Sequence, residues 1–267
     1  KEQCDLAEDY SDRLHVETIG RLANFSDEDI DWITKHSSAQ GSVDFAASVG
    51  TMLDANQRAK MLIERVGCLT EQHDKSPLMN TLSRQLIDAG IEDNIRSRTD
   101  FVIALMLLGG DTISGTLTVG IAEFLDQNDG VLVSEDWSGK DWLADEFIRM
   151  SSTVQHVDRV AVKDIDLCGQ KISKGDVMLV CLPAANRDPS NFSCPHSMSE
   201  ENEAHFAFGA SRHRCTGKPL AEKAIDISFR HLSALAEIRA LPGRQIEDSK
   251  KARKYKKLPL TLTKQSK

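Results

Sequence analysis

His205-Phe206-Ala207-Phe208-Gly209-Ala210-Ser211-Arg212-His213-Arg214-Cys215-Thr216-Gly217 is the stretch on which the reading of this chain turns. It sets one cysteine in a glycine-containing loop, just ahead of a segment with helical periodicity. Arg212, His213, Arg214 and Lys218 surround that cysteine. Positive charge and a helix N-terminus both favour thiolate over thiol. A thiolate is the axial donor that lets a haem iron push electron density toward O–O cleavage. A buried structural cysteine accounts for the same residue as well. Local chemistry leaves both readings open.

The rest of the chain bounds the answer. Its 267 residues suffice for one large domain with a sizeable core, and 40% hydrophobic with 28% charged residues is ordinary for a globular enzyme. The formal net charge of −8 argues against nucleic acid or an anionic membrane as partner. The longest fully apolar run, residues 101–108, falls short of the roughly 20 residues that a membrane span requires. The charged opening, residues 1–9, has no signal-peptide pattern. Six scattered cysteines with no C-x-x-C pair fit free thiols in a reducing cytoplasm. The basic stretch 250–257 reads as a solvated edge, since Tyr255 is its only aromatic.

Periodicity predicts mostly helix over the first ~120 residues. Ser26 with Asp29 forms a capping box that opens a short helix through Trp32 to His36. Phe45, Val49, Met52 and Leu53 keep a helical period that Met61, Leu62 and Val66 continue. Ser76-Pro77 starts another helix, stopped at Gly90, and a long buried one is expected over 96–125. Asn128-Asp129-Gly130 breaks it, and residues 142–150 form a further short helix. Residues 157–162, 166–168 and 177–180 are β-like, with a turn at Lys174-Gly175. Helix returns over 217–240, and the tail, 241–267, is strand or loop. A single domain over 1–267, mainly α with a small β region, is the expectation.

The pattern Phe208-Gly209-x-x-x-His213-x-Cys215-x-Gly217-x-x-Leu220-Ala221 resembles the haem-binding loop of the cytochrome P450 family. The resemblance implies haem b, iron protoporphyrin IX, with Cys215 as the proximal iron ligand. It implies that Phe208 and Gly209 shield the sulfur, that Gly217 lets the helix approach the porphyrin, and that His205 and His213 serve the propionates. Ser211 stands where the family has a second glycine. Leu108-Gly109-Gly110-Asp111-Thr112 is similar to the family's oxygen-side helix motif, implying that Asp111 and Thr112 deliver protons beside Gly109. By itself the glycine pair reads more readily as a helix-packing feature with a capping polar residue. Glu146-x-x-Arg149 is similar to the family's structural clamp, and Glu146 lies 35 residues after Asp111 and 69 before Cys215. The clamp's usual third arginine is absent, replaced by Ser199-Glu200-Glu201-Asn202. Arg159, in Arg159-Val160-Ala161, is the expected propionate contact, because a guanidinium grips a carboxylate in a two-pronged fork. Asn186-Arg187-Asp188-Pro189 also matches, though alone it signals only a turn.

Four motifs in order identify the chain as a member of the bacterial, soluble branch, from about Asp5 to about Leu262. The segment from Asp5 to Ala23 resembles the family's fourth helix, so the expected fold lacks the family's first helices and strands. The function implied is O2-dependent monooxygenation of a small organic substrate, with electrons from a ferredoxin or flavoprotein. Arg212, Arg214 and Lys218 form either a dock for an acidic donor or a solvated rim. A homodimer or a partner chain is expected to cover the short N-terminal side. The competing expectation is a non-catalytic or regulatory haem-binding protein on the same scaffold, motivated by the short N-terminal side and by Ser211 and Glu200.

Overall fold

The computed structural model describes residues 2–37, 49–133, 140, 142–201, 205–247 and 251–264. Phe45, one of the residues read as helical, lies outside these. The chain opens with strand β1 (Glu2–Asp5), a π-helical turn (Ala7–Ser11) and helix α1 (Asp12–Leu22). There follow α2 (Asp27–Ser37), α3 (Val49–Gln72), α4 (Pro77–Asp88) and α5 (Ile95–Gln127). Then come β2 (Val131–Val133), α6 (Leu143–Ser151), β3 (His156–Val160), β4 (Ile165–Leu167), β5 (Gln170–Ile172) and β6 (Val177–Cys181). After α7 (Leu182–Ala185), helix α8 (Lys218–Ser233) leads to β7 (Leu235–Ala240), β8 (Gln245–Ile246), β9 (Tyr255–Lys257) and β10 (Pro259–Lys264).

Helix starts are set by caps that satisfy otherwise unpaired amides. Ser26 Oγ accepts the Asp29 N–H at 3.1 Å and donates to the Asp29 carboxylate at 2.6 Å, so the two residues read as a capping box are paired through the hydroxyl. Ser76 Oγ accepts from Met79 ahead of α4, with Pro77 in the first turn, and Asn94 Oδ1 accepts the Ser97 N–H at 2.9 Å to open α5. Past α5, Asp129 and Gly130 both adopt positive φ, which is what breaks the helix.

Helix α5 organises the molecule. Residues 113–122 are buried without interruption. One core cluster joins Ile113, Leu117 and Ile121 of α5 to Phe147 of α6, Ile225 and Phe229 of α8, and Ile238 and Leu260 of the sheet. A second cluster packs Val102 and Met106, from the N-terminal half of α5, against Val16 and Ile19 of α1, Ile30 and Ile33 of α2, and Leu62 and Val66 of α3. By length and composition alone α5 is apolar enough to cross a membrane. Residues 113–122 of it are packed in the core.

Four antiparallel strands form the largest sheet, in the order β1-β10-β7-β2. Two expectations are corrected here. Residues 235–240, read as the end of a helix, are strand β7, hydrogen-bonded on both edges; pairing with β10 and β2 overrides the helix-forming Leu, Ala, Glu and Arg of this segment. Residues 2–5 are strand β1, in register with β10, rather than part of a helical opening. The β-rich middle is as expected: β3 pairs with β6 and β4 with β5, and Cys168 sits in the β4–β5 turn at φ +50°.

Candidate haem-thiolate site

The cysteine loop is shaped by its backbone. Gly209 at φ +67° and Ser211 at φ +58° reverse the chain, and residues Ser211–His213 make one 3-10 turn. The Cys215 N–H then donates to the Phe208 carbonyl at 2.8 Å, closing the loop and leaving Cys215 exposed. Helix α8 begins three residues later with Gly217 as its N-cap. A helix N-terminus so close to the sulfur favours negative charge on it. A Cβ at Gly217 would stand 3.7 Å from Cys215 Sγ, in the space beside the sulfur.

Phe208 anchors the loop against the core cluster of α5 and α8. Its ring is flanked by the His205 imidazole, 5.7 Å between centroids, and by the Lys218 ammonium, 5.6 Å from the centroid. His205 Nδ1 lies 3.2 Å from the Ala207 N–H and accepts it. Burial, reinforced by the Lys218 charge, pulls the His205 pKa down to about 4. The ring is therefore neutral at pH 7, with its proton on Nε2, the tautomer suited to donate to a carboxylate. His213 is exposed at the end of the 3-10 turn. Arg159, also exposed, extends from β3 and donates to the Asp158 carbonyl at 2.7 Å.

Behind the loop lies the Glu146–Arg149 clamp. Arg149 is fully buried, with Nε and Nη2 on the two Glu146 oxygens at 2.7 and 2.8 Å. Among the described residues no third arginine completes it. Instead Arg149 donates to the main-chain carbonyls of Asn186 (2.8 Å), Cys194 (3.2 Å), Pro195 (3.2 Å) and Ser197 (2.9 Å). Glu146 also accepts the Ser199 N–H at 3.0 Å. The clamp is thus rebuilt from backbone groups of the segment before the loop.

Asn186, fully buried, is the residue the sequence reading undervalued as a turn former. Its Nδ2 donates to Ser152 Oγ at 2.9 Å, and its Oδ1 accepts the Phe206 N–H at 2.7 Å. One side chain thereby ties the end of α6 to the start of the cysteine loop. The position of Asn186 in a motif at family spacing was the signal available.

On α5 the two residues expected to share a proton task face different partners. Thr112 Oγ1 donates to the helix carbonyls of Gly109 at 3.2 Å and Leu108 at 3.5 Å. The Asp111 carboxylate is held by Lys254 Nζ at 3.1 Å, and the same ammonium lies 3.0 Å from Asp12. Against Gly109 lies the buried His15 imidazole, whose Nε2 contacts the Leu105 carbonyl. Neither His15, Asp12 nor Lys254 carried a local sequence signal, since each meets α5 across a long stretch of chain.

These residues fit a haem. A thiol stands at the loop tip beside a glycine. Imidazole and guanidinium donors suit two propionates. Leu108 on α5 is 77% exposed, and Val160, Val177 and Leu179 of the β3–β6 pair are exposed too. Apolar surface of this kind is what a flat macrocycle packs against.

Comparison with known proteins agrees. The family model described as Cytochrome P450 matches residues 141–259, which span the clamp, the cysteine loop and the tail. A putative cytochrome P450 140 from Mycobacterium bovis is 30% identical over 189 residues, covering 67% of this chain and 42% of that protein. A steroid C26-monooxygenase from Rhodococcus jostii is 31% identical over 167 residues, 60% of this chain and 35% of the relative. The chain therefore spans less than half the length of these two relatives. The crystal structure of P450BioI in complex with an acyl carrier protein ligated to hexadec-9Z-enoic acid superposes with a TM-score of 0.81 at 21% identity. That match covers 98% of this chain and 69% of the other, and shows the shared fold. With the cysteine loop, the clamp and the glycine-bearing helix in the family's order, the chain belongs to the cytochrome P450 family.

Proposed function

We propose that this chain carries the haem-thiolate centre of a monooxygenase that uses dioxygen and electrons from a ferredoxin or flavoprotein to oxidise a small organic substrate. The Cys215 loop is the observation that carries this reading: a thiol between a hydrogen-bonded reverse turn and a helix N-terminus, backed by a buried clamp. Haem b is the form proposed, since the sequence has no C-x-x-C pair for covalent attachment. Bound there, the haem supplies the one-electron and oxygen chemistry. The protein's part is binding, orientation and proton handling. Cys215 Sγ donates to the iron, and Phe208, Gly209 and Gly217 frame the sulfur. His205, through Nε2–H, and His213 would donate hydrogen bonds to the propionates, and Arg159 would supply a positive charge beside them. On α5, Thr112 Oγ1 and the Asp111 carboxylate hold and move protons on the oxygen side. The exposed Arg212 and Arg214 offer a basic rim to an acidic electron donor, whereas Lys218 is already paired with Glu222 at 3.1 Å.

The name of the Rhodococcus relative supports a hydrophobic substrate. Exposed Leu22, Ile63 and Ile87, on α1, α3 and α4, support a homodimer or partner chain over the N-terminal side, and sedimentation at micromolar concentration tests it. Six cysteines outside any disulfide support a cytoplasmic setting, and the charge of −8 supports neither a nucleic-acid nor a membrane partner. The non-catalytic alternative gains nothing from its two motivating substitutions. Ser211 makes the turn, and backbone carbonyls complete the clamp.

The test is the absorption of protein expressed with adequate haem, reduced and exposed to carbon monoxide. A thiolate-type spectrum is expected, lost in Cys215→Ala. Protein that stays colourless, or a spectrum unchanged in the variant, overturns the reading.

A further inference from the structure

Helix α1 grips α5 on both sides of its glycine pair. Ahead of the pair, the buried His15 imidazole lies in the notch at Gly109, and its Nε2 contacts the Leu105 carbonyl. Beyond the pair, Ser114 Oγ lies 3.1 Å from Ser11 Oγ and donates to the Asp12 carboxylate. Both grips come from residues 11–15, at the junction of the π-helical turn and α1. Between them run Leu108 to Thr112. Val16 and Ile19 share an apolar cluster with Val102 and Met106, but apolar packing is non-directional. The polar contacts are what can fix the bend and rotation of α5.

The two glycines face different surroundings. A methyl group at Gly109 would overlap the imidazole, whereas one at Gly110 would meet nothing within 4 Å. Gly109 is thus the seat of the ring, and Gly110 borders open space. Glycines weaken a helix, and a helix bends at them or where a side chain reaches into its hydrogen-bond ladder. Two such side chains act here. His15 reaches the Leu105 carbonyl, the acceptor that a regular helix offers to the amide of residue 109. Thr112 Oγ1 donates to the carbonyls of Gly109 and Leu108. A carbonyl oxygen only accepts, so His15 Nε2 carries the proton. Burial lowers the His15 pKa, and the ring makes this contact as the neutral tautomer.

We infer that His15 is a positioning residue for the oxygen side of the site: its Nε2–H on the Leu105 carbonyl, with Ser114 held by Ser11 beyond the glycines, sets the course of α5 through Leu108 to Thr112. This deepens the proposed function and rests on it for what lies opposite Leu108 and Thr112. The course of the helix itself does not depend on that reading.

Two substitutions separate the hydrogen bond from the volume of the ring. His15→Gln keeps an N–H donor of similar reach, and His15→Met keeps apolar bulk without a donor. Amide hydrogen exchange of the full chain, read by mass spectrometry over residues 105–114, should be several-fold faster in His15→Met and parental in His15→Gln. Exchange in α4 should stay parental in both, which sets aside a general loss of stability. In haem-loaded protein with carbon monoxide, the infrared C–O band should shift and broaden in His15→Met and keep its place in His15→Gln. Parental exchange and band in His15→Met, or equal disturbance in the two variants, would overturn the inference. Ser114→Ala removes the other grip and covers the case in which His15→Met folds poorly. It should speed exchange over the same residues and move the band; parental behaviour there would overturn the inference too. The exchange arm needs no haem, so loss of the carbon monoxide spectrum and loss of the exchange pattern report separately on the proposed function and on His15.

Discussion

Arg149 donates to the main-chain carbonyl of Asn186 at 2.8 Å, and through that bond a buried ion pair on α6 reaches the cysteine loop. Asn186 in turn accepts the Phe206 N–H, nine residues before Cys215. The clamp thus fixes the loop from behind: Arg149 donates to main-chain carbonyls, and the Ser199 N–H donates to Glu146. Arg149→Ala leaves the Glu146 carboxylate buried without its fork and frees several carbonyls. A loss of about 3–5 kcal/mol follows from breaking such a pair. Urea unfolding should show this loss in the apoprotein, together with failure to retain haem. A shift under 1 kcal/mol would mean that Arg149 is dispensable to the fold.

The loop itself carries one unfavourable residue. Ser211 adopts φ +58°, a region that costs a side-chain-bearing residue about 1–2 kcal/mol. Glycine removes that cost but gives back part of it in unfolded-chain entropy. Ser211→Gly should therefore stabilise by about 0.5–1 kcal/mol. Thermal melting of the two proteins side by side would detect it; a lower melting temperature for the glycine variant would show that the Ser211 hydroxyl does more than occupy the turn.

Such local features were legible in the sequence because their causes are local. The caps at Ser26, Ser76 and Asn94 sit within three residues of the amides they satisfy. The apolar run 101–108 foretold a long helix, although its continuous burial falls at 113–122 and leaves Phe101 and Leu108 exposed, and the cysteine loop announced itself by residue type and spacing. What escaped was set by distant partners. Residues 235–240 contain good helix formers, and only pairing with β10 and β2 makes them a strand. Lys254 reads as one more basic residue in the tail until the fold carries it across 143 positions to Asp111. The absent clamp arginine was visible, but the Ser199 N–H that donates to Glu146 and the carbonyls of 194–197 that take up Arg149 were not, because backbone groups are the same at every residue.

Acid should expose the histidine beside the cysteine loop. Burial, with Lys218, lowers the His205 pKa to about 4, against an ordinary value of 6.5. Between these values the unfolded chain takes up a proton that the folded one refuses, so stability falls as pH falls. The contribution is fully present above pH 6.5, is lost progressively toward pH 4, and levels off below that. Buried His15, whose pKa burial also lowers, acts with the same sign. His205→Phe should flatten part of the decline while leaving the His15 share. Denaturant unfolding of both proteins from pH 7 to pH 4.5 measures the difference, and parallel curves would contradict the assignment.

Gly109 and His15 form the last pair that can be tested directly. A methyl group at Gly109 would overlap the His15 imidazole, which is itself 4% exposed and held at the Leu105 carbonyl. Overpacking of this kind costs about 1–3 kcal/mol. Gly109→Ala should lose stability in that range. His15→Ala should also destabilise, by opening a cavity and releasing the Leu105 contact. The double variant should be more stable than the sum of the two losses predicts, because the alanine methyl enters the space that the ring has left. A double-mutant cycle by urea unfolding gives the coupling. Simple additivity would mean that Gly109 serves something other than the imidazole, whereas strong coupling would establish that His15 fixes the path of α5 two residues before Asp111.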